Sequence, residues 1–231
     1  MSIPRASTAA LACAVAGAAA SFRPPAVPLA VVSPFFSIWS FDAGIAASPT
    51  YFWHGDAAPL TALARIDNST FTLLGAPTAG APAAAQLGYP SVQCTSTKYN
   101  FSAGGVSLEL RFTTPSLPDW SLEAAVAPAT LVRLSAASLD ARAHAVQVFF
   151  SADASSVASA PGAWMEWDRP VVPLPGGGVA LRQGQVGQRA GTFNYTSALL
   201  NSTEPRQRQD YGFVYVMDAG ARAIQRPGAH I

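Results

Sequence analysis

Strict alternation of apolar and polar residues is the feature that most constrains what this chain can fold into. Between positions 106 and 112, valine, leucine and phenylalanine alternate with serine, glutamate and arginine. Successive side chains of a strand point to opposite faces, so this spacing predicts one buried and one solvated face. Residues 145–150 follow the same spacing, with Val146, Val148 and Phe150 on the face expected to be buried. Further strands are predicted at residues 60–66, 70–74, 92–101, 130–138, 179–185 and 211–217.

The segments between these strands are rich in turn-forming residues. Asp67, Asn68 and Ser69 separate two predicted strands, and the SAGG sequence at 102–105 separates two more. Alanine, proline and glycine dominate two longer stretches, 75–90 and 170–178, which are predicted to be surface loops. No long stretch has the apolar period of a helix. The sequence therefore predicts an all-β fold, an antiparallel β-sandwich or layered β-domain with long loops.

The beginning of the chain has the composition of a secretion signal. Arg5 supplies a positive charge, residues 7–20 are small and mostly apolar, and the alanines at 18–20 form an A-x-A cleavage pattern. The apolar run is shorter than the ~20 residues that a membrane-spanning helix needs. We therefore expect a secreted, extracellular protein with no membrane span. Its predicted parts are a disordered signal peptide at 1–20, a β-sandwich domain at 21–218 and an unstructured, truncated tail at 219–231.

The asparagines of the chain share one context, because each of the four begins an Asn-x-Ser/Thr acceptor for N-linked glycan. Chance placement would rarely give this result, so the pattern predicts a secreted glycoprotein whose acceptors lie in turns or loops. The predicted glycosylation sites are Asn68, Asn100, Asn194 and Asn201. If the leader is removed, Cys94 is the remaining cysteine, and a buried, inert thiol is the favoured expectation.

Charge and motif content exclude several functions. Charged residues make up 12% of the chain and its net charge is +1, which gives no field for a nucleic acid partner. The sequence has neither a G-x-S-x-G nucleophile elbow nor a P-loop, and its three histidines are scattered. We therefore expect no catalytic residue, no metal site and no cofactor. Glu166 and Asp168 would share a face of a strand; a solvated acidic face is favoured, and a hydrolase carboxylate pair is the alternative.

Tryptophans are the candidates for contact with a ligand or with another domain. The residues singled out are Trp39, Trp53 and Trp120. Packing within the core or a domain interface is the favoured expectation for the tryptophans, because burial of an aromatic side chain contributes strongly to stability. In residues 35–41 apolar side chains occupy both parities, which predicts a strand that is covered on both faces.

Several segments follow one another in an order that composition alone does not explain. They are SPFFSIWS at 33–40, SPTYFWHG at 48–55, RIDNSTFTLLG at 65–75, YNFSAGGVSLELRFTTP at 99–115, HAVQVFFSA at 144–152 and DYGFVY at 210–215. In this order they resemble the amino-terminal region of the glutaminase A-like family of secreted proteins. Three places depart from the family pattern: Ile45-Ala46-Ala47 stands in place of Leu-Thr-Asp, Trp53-His54 reverses the His-Trp order, and Trp120 follows Leu-Pro-Asp where an acidic residue is common.

The resemblance implies a β-domain that precedes a helical-barrel domain, with amide hydrolysis of glutamine carried out in the barrel. The expected function is therefore a non-catalytic β-domain that supports or docks a helical-barrel hydrolase domain lying downstream. This hypothesis predicts an exposed apolar patch. The alternative is a carbohydrate-binding module of a helical-barrel glycosidase, with a carbohydrate as partner and at least two exposed tryptophans aligned on one sheet face.

Overall fold

The computed structural model describes residues 23–33, 36–77, 79–115, 129–153, 157, 164–170, 180–186 and 213–218 of the 231-residue chain. Within these residues the chain forms β-strands and no α-helix, and the strands pair antiparallel. The predicted all-β antiparallel sandwich is confirmed. The leader at 1–20 and the tail at 219–231 lie outside the described residues. No helix long and apolar enough to cross a membrane occurs in the part that the structure describes.

The described strands form four sheets. In chain order the strands are β1 (Val27–Ser33), β2 (Phe36–Ser40), β3 (Tyr51–Phe52), β4 (Leu60–Ile66), β5 (Ser69–Leu74), β6 (Ala85–Gln86), β7 (Ser91–Val92), β8 (Ser96–Ala103), β9 (Val106–Thr113), β10 (Leu131–Ser138), β11 (Val146–Ala152), β12 (Met165–Asp168), β13 (Ala180–Gln185) and β14 (Phe213–Met217). The sheets have the strand orders β1–β2–β3, β10–β9–β8–β6, β11–β4–β5 and β12–β13–β14, and β7 also pairs with β8.

Most predicted strands match observed ones, but the single strand predicted at 92–101 is wrong. The chain reverses direction after Val92, and the Gln93 N–H donates to the Ser96 carbonyl at 2.8 Å. This turn allows β7 to pair with β8. Cys94 lies in the turn and is exposed, so the expectation of a buried thiol is wrong as well. Burial fails there because a reversal at the sheet margin places its tip in solvent.

The hairpin of β8 and β9 follows the sequence alternation residue for residue. Inward positions of both strands are buried and outward positions are half-buried. The buried aromatic and aliphatic side chains of this hairpin are Tyr99, Phe101, Leu108, Leu110 and Phe112. They form the inner face of the five-stranded sheet and the largest contribution to the core.

Two further sheets pack their inner faces into the same core. Ile38 and Phe52 enter it from the β1–β2–β3 sheet, and Ala62 and Leu74 enter it from the β11–β4–β5 sheet. The β12–β13–β14 sheet instead contributes to a separate small cluster around Val214. The sandwich is therefore built from three sheets around one apolar centre, with the fourth sheet at its margin.

Strand β11 departs from the predicted half-buried pattern. Val148 and Phe149 are neighbours and point to opposite faces, yet both are about half-exposed. The strand lies at the edge of its sheet and pairs only with β4 among the described strands. An edge strand has fewer neighbours to cover it, so the apolar spacing alone overstates its burial.

A pair of leucine truncations tests the location of the core. Leu108 is fully buried, whereas Leu131 on the neighbouring edge strand is 61% exposed. We expect Leu108→Ala to lower the free energy of unfolding by about 2–5 kcal/mol, because it removes buried methyl groups and leaves a cavity. The matched Leu131→Ala change should cost less than about 1 kcal/mol. Urea denaturation measures both, and equal losses would contradict this assignment of the core.

Candidate functional site

The outward face of the β1–β2–β3 sheet is apolar and aromatic. Trp39 pairs with Pro28 on one side and with Tyr51 on the other, and side chains directly opposite each other share a face. The adjacent residue Ile38 points the other way, into the core, where it is buried. Trp39 therefore lies on the outward face, opposite the core.

An open groove of about 420 Å³ runs along this face. Its lining residues are Val31, Val32, Ser33, Ser37, Trp39 and Trp53. The Trp39 indole Nε1–H donates to the Ser37 hydroxyl at 2.6 Å, so the polar group of this ring is already satisfied. None of the six lining side chains carries a charge. The groove therefore offers mainly carbon to whatever covers it.

Trp53 stands at the edge of the groove and is 53% exposed. Its ring meets the His54 ring edge-on, with centroids 5.6 Å apart. His54 in turn stacks on Phe52, which is buried in the core, at 5.4 Å. This arrangement depends on the Trp53-His54 order that departs from the family pattern. The reversed order places the indole outside and the imidazole against the core.

Stacked aromatic rings extend the apolar face beyond the groove. Phe41 and Tyr51 lie parallel with centroids 5.2 Å apart, and Phe41 remains exposed. The expectation that residues 35–41 are covered on both faces is therefore wrong at Phe41. Apolar side chains occur at both odd and even positions because one side of the strand faces the core and the other side forms an exposed apolar face.

The structure brings two of the three predicted tryptophans together. Trp39 and Trp53 line the same groove, and Trp120 lies outside the described residues. Two other tryptophans, Trp164 and Trp167, are 84% and 67% exposed. They are three positions apart on an extended segment, so they point to opposite faces and do not form one aligned platform.

The glycan acceptors occupy different kinds of position. Asn68 is exposed in the two-residue turn between β4 and β5, as the sequence predicts. Asn100 lies inside β8, and the prediction of a turn there is wrong. Its neighbours Tyr99 and Phe101 alternate into the core, which places Asn100 on the outward, polar face. Asn194 and Asn201 lie outside the described residues.

Glu166 and Asp168 do share a face of β12, because they are two positions apart on one strand. Asp168 accepts two hydrogen bonds from Arg182, one from Nε at 2.8 Å and one from the terminal nitrogen at 2.5 Å. Arg182 also lies 4.9 Å from the Phe213 ring centroid. The Asp168 bond raises the pKa of Arg182 further above its usual range. Asp168 is therefore engaged in a cross-strand ion pair, as in the solvated-face interpretation.

The sequence reasoning missed a three-residue cluster around His144. The Nδ1 atom of His144 lies 2.9 Å from the Asp67 carboxylate, and Nε2 lies 2.9 Å from the Asp140 carboxylate. Asp67 sits in the β4–β5 turn, and Asp140 and His144 sit between β10 and β11. The Asp67 carboxylate also accepts the Ala145 N–H at 3.0 Å. We call this group the histidine clasp. Sequence offered no signal for it, because its members are up to 77 positions apart.

Hydrogen bonds within the histidine clasp favour the charged forms of its three members. The bond to Asp67, followed by the bond to Asp140, raises the pKa of His144. The His144 bond lowers the pKa of Asp140 to about 2 and is also the main cause of a lowered pKa at Asp67. With both ring nitrogens facing carboxylates, His144 has no free nitrogen to act as a general base. Among the residues that the structure describes, no group of three side chains is placed to hold a metal ion.

These features define an all-β sandwich domain with an apolar face that the described residues leave exposed. Residues 95–210, half of the chain, match the model "Domain of unknown function (DUF5127)", and residues 6–79 match "Domain of unknown function (DUF4964)". Glutaminase A of Aspergillus oryzae is 32% identical over 166 residues, which cover 66% of this chain and 23% of that protein. No solved structure matches the chain.

The chain therefore belongs to the DUF5127 family, and its similarity to Glutaminase A fits an amino-terminal region of such a protein. The resemblance found in its motifs is confirmed. The aligned part spans less than a quarter of the curated relative.

The histidine clasp predicts a specific dependence of stability on pH. Because folding raises the pKa of His144 above its ordinary value of 6.5, the contribution of the clasp is complete below that value. It is lost as the pH rises through the folded-state pKa. The two aspartates act in the opposite sense, and their contribution is lost in acid as the pH falls through about 2 for Asp140.

We expect the unfolding free energy of the wild type to fall as the pH rises above about 6.5 and through the folded-state pKa of His144, and this fall to be smaller in His144→Gln. Urea melts across this range measure the difference. Parallel pH profiles for the two proteins would contradict a charged clasp.

Proposed function

We propose that this chain is a non-catalytic β-domain of a secreted glutaminase A-like protein, and that the outward face of its β1–β2–β3 sheet docks the hydrolase domain of that protein. The observation that carries the proposal is the uncharged groove lined by Trp39 and Trp53. Exposed contiguous apolar surface of this kind marks interaction sites on soluble proteins. The expected occupant is a helical-barrel domain, as the family resemblance implies.

The energetic argument rests on the exposed tryptophan. Covering the exposed half of Trp53 removes on the order of 100 Å² from water, and at about 25 cal/mol per Å² this stabilises a complex by about 2–3 kcal/mol. Aromatic side chains at the centre of an interface often dominate its binding energy. A few such contacts suffice for a domain of the same polypeptide, because tethering raises the effective concentration to the order of millimolar.

The length of the relative beyond the aligned region supports the proposed partner. Most of Glutaminase A lies outside the part that this chain matches. The carboxylate and imidazole groups considered for catalysis are engaged elsewhere: Asp168 binds Arg182, and His144 is held between two aspartates. Both arrangements stabilise the fold. They support placing amide hydrolysis in the remainder of such a protein.

A carbohydrate-binding module is the second candidate, because Trp39 and Trp53 share one groove. Sugar recognition combines an aromatic ring with polar groups that bind the hydroxyls. This groove supplies two serines, and Ser37 already accepts the Trp39 indole N–H. The chemistry of the lining therefore favours an apolar protein surface over a sugar.

A co-purification experiment tests the docking proposal. This chain is co-produced with the remaining domains of a glutaminase A-like polypeptide as a separate, tagged chain. We expect the wild type to co-purify with those domains and Trp39→Ser/Trp53→Ser to lose about tenfold or more in affinity, since hot-spot aromatics carry most interface energy. The control is Trp164→Ser, which changes a more exposed tryptophan outside the groove.

Two results would count against docking at this face. One is failure of the wild-type chain to associate, and the other is an equal effect of the groove and control variants. If a polysaccharide panel instead quenches tryptophan fluorescence in the wild type but not in Trp53→Ser, the carbohydrate candidate replaces the docking proposal.

Secretion is a separate part of the proposal, supported by the leader at 1–20 and by the four acceptors. We expect a eukaryotic host to export the chain and to add N-glycan, which an endoglycosidase removes with a visible drop in mass. Removal of residues 1–20 should retain the protein inside the cell without glycan. Export that is unchanged without this leader would contradict its role as a signal.

A further inference from the structure

Three basic residues form one row across the outward face of the five-stranded sheet. Lys98 on β8 lies directly opposite Arg111 on β9, and Arg111 lies directly opposite Arg133 on β10. Their sequence neighbours Tyr99 and Leu110 point inward and are buried, which places the row on the other face. We call Lys98, Arg111 and Arg133 the cationic row.

One carboxylate neutralises part of this charge. The two oxygens of Glu109 face Lys98 at 3.7 Å and Arg111 at 3.2 Å. Three positive charges and one negative charge leave this group at +2, whereas the whole chain carries +1. Within the described ranges, Arg133 has no ion-pair partner. The Nε atom of Arg111 is buried and has no hydrogen-bond partner among the described residues.

The cationic row is costly for a sheet that has no ligand. Like charges directly opposite each other on neighbouring strands are destabilising, and a buried N–H donor without an acceptor adds to the cost. General solubility does not explain the row, because uncharged residues fill most other outward positions of these strands. The single lysine of a chain that is only 12% charged lies here. A bound counter-charge would remove the repulsion between the like charges.

We propose that the cationic row is a binding site for a small oxyanion, a phosphate, sulfate or dicarboxylate group with a charge near −2. Neighbouring strands are about 4.8 Å apart, so two adjacent guanidinium groups can donate to one oxyanion from the same side. The terminal guanidinium nitrogens of Arg111 and Arg133 supply donors, Arg133 having no ion-pair partner among the described residues, and Lys98 adds a point charge. This site lies on a different sheet from the docking face and does not depend on that proposal.

Side-chain NMR of the unglycosylated protein tests the site directly, since glycan at the nearby Asn100 is then absent. Phosphate, sulfate and a dicarboxylate such as succinate are titrated separately at constant ionic strength, with chloride as the balancing anion. We expect the Nε–H resonances of Arg111 and Arg133 to shift in a saturable manner. The arms of the titration distinguish tetrahedral oxyanions from carboxylates.

Matched variants distinguish specific binding of the oxyanion from general ionic screening of the protein's charges. Arg133→Gln and Arg111→Gln should each weaken binding by at least about tenfold, because a charge-assisted hydrogen bond is lost. The control is Arg65→Gln on β4, an exposed arginine whose cross-strand neighbours Gln147 and Thr70 are uncharged. It should leave binding unchanged.

Thermal melting gives a second readout with a distinctive pattern. Without oxyanion, Arg133→Gln should melt at or above the temperature of the wild type, because one like-charge contact is removed. With oxyanion, the wild type should gain stability and the variant should not. Shifts that follow ionic strength alone, or equal gains in wild type and Arg133→Gln, would overturn the proposal.

Discussion

The β8–β9 hairpin is the element on which the rest of the molecule depends. Its turn consists of Gly104 and Gly105, both with positive φ, a backbone conformation that matches the twist of a two-residue hairpin. This turn sets the register that sends every second side chain of both strands into the core. A slip by one residue would exchange the inward aromatic and aliphatic side chains with the outward polar ones. The core and the cationic row are thus two results of one register.

The two matched family regions fold as parts of one packed unit. Strands β1 to β5 lie in the DUF4964 match, and β8 to β11 lie in the DUF5127 match. Their side chains share one apolar core, and β11 pairs along its length with β4. A boundary drawn between the two regions would cut both the core and a sheet. Their order along the chain is therefore a poor guide to structural independence.

Local pattern was sufficient to predict the fold class and many of the strands, because both depend on neighbouring residues. The bounds of β4 agree with prediction, and β9 differs by one residue at its end. Features that depend on distant partners were not predictable in this way. The exposure of Cys94, the strand position of Asn100 and the uncovered sides of β11 follow from which strands lie beside them. A single sequence does not show which strands lie next to one another in the fold.

The same limit of sequence-based prediction applies to the candidate binding surfaces. The sequence singled out Trp39 and Trp53 as aromatic, but only the sheet register places them in one groove. It also contained the three members of the cationic row, separated along the chain by other residues. Their alignment arises from the pairing of three strands. The sequence shows which residue types are present, but only the fold shows which of them lie next to each other.

The histidine clasp has a consequence for how this domain can change through evolution. Gly105 belongs to the same corner, since a Cβ there would lie 2.9 Å from the Asp140 carboxylate. Loss of His144 alone would leave two carboxylates facing each other, and loss of either aspartate would leave a cation with half of its support. Each single replacement would therefore remove an interaction that the remaining members of the cluster still face. These positions are therefore expected to be inherited or exchanged as a set, which makes the corner a lineage marker independent of any activity.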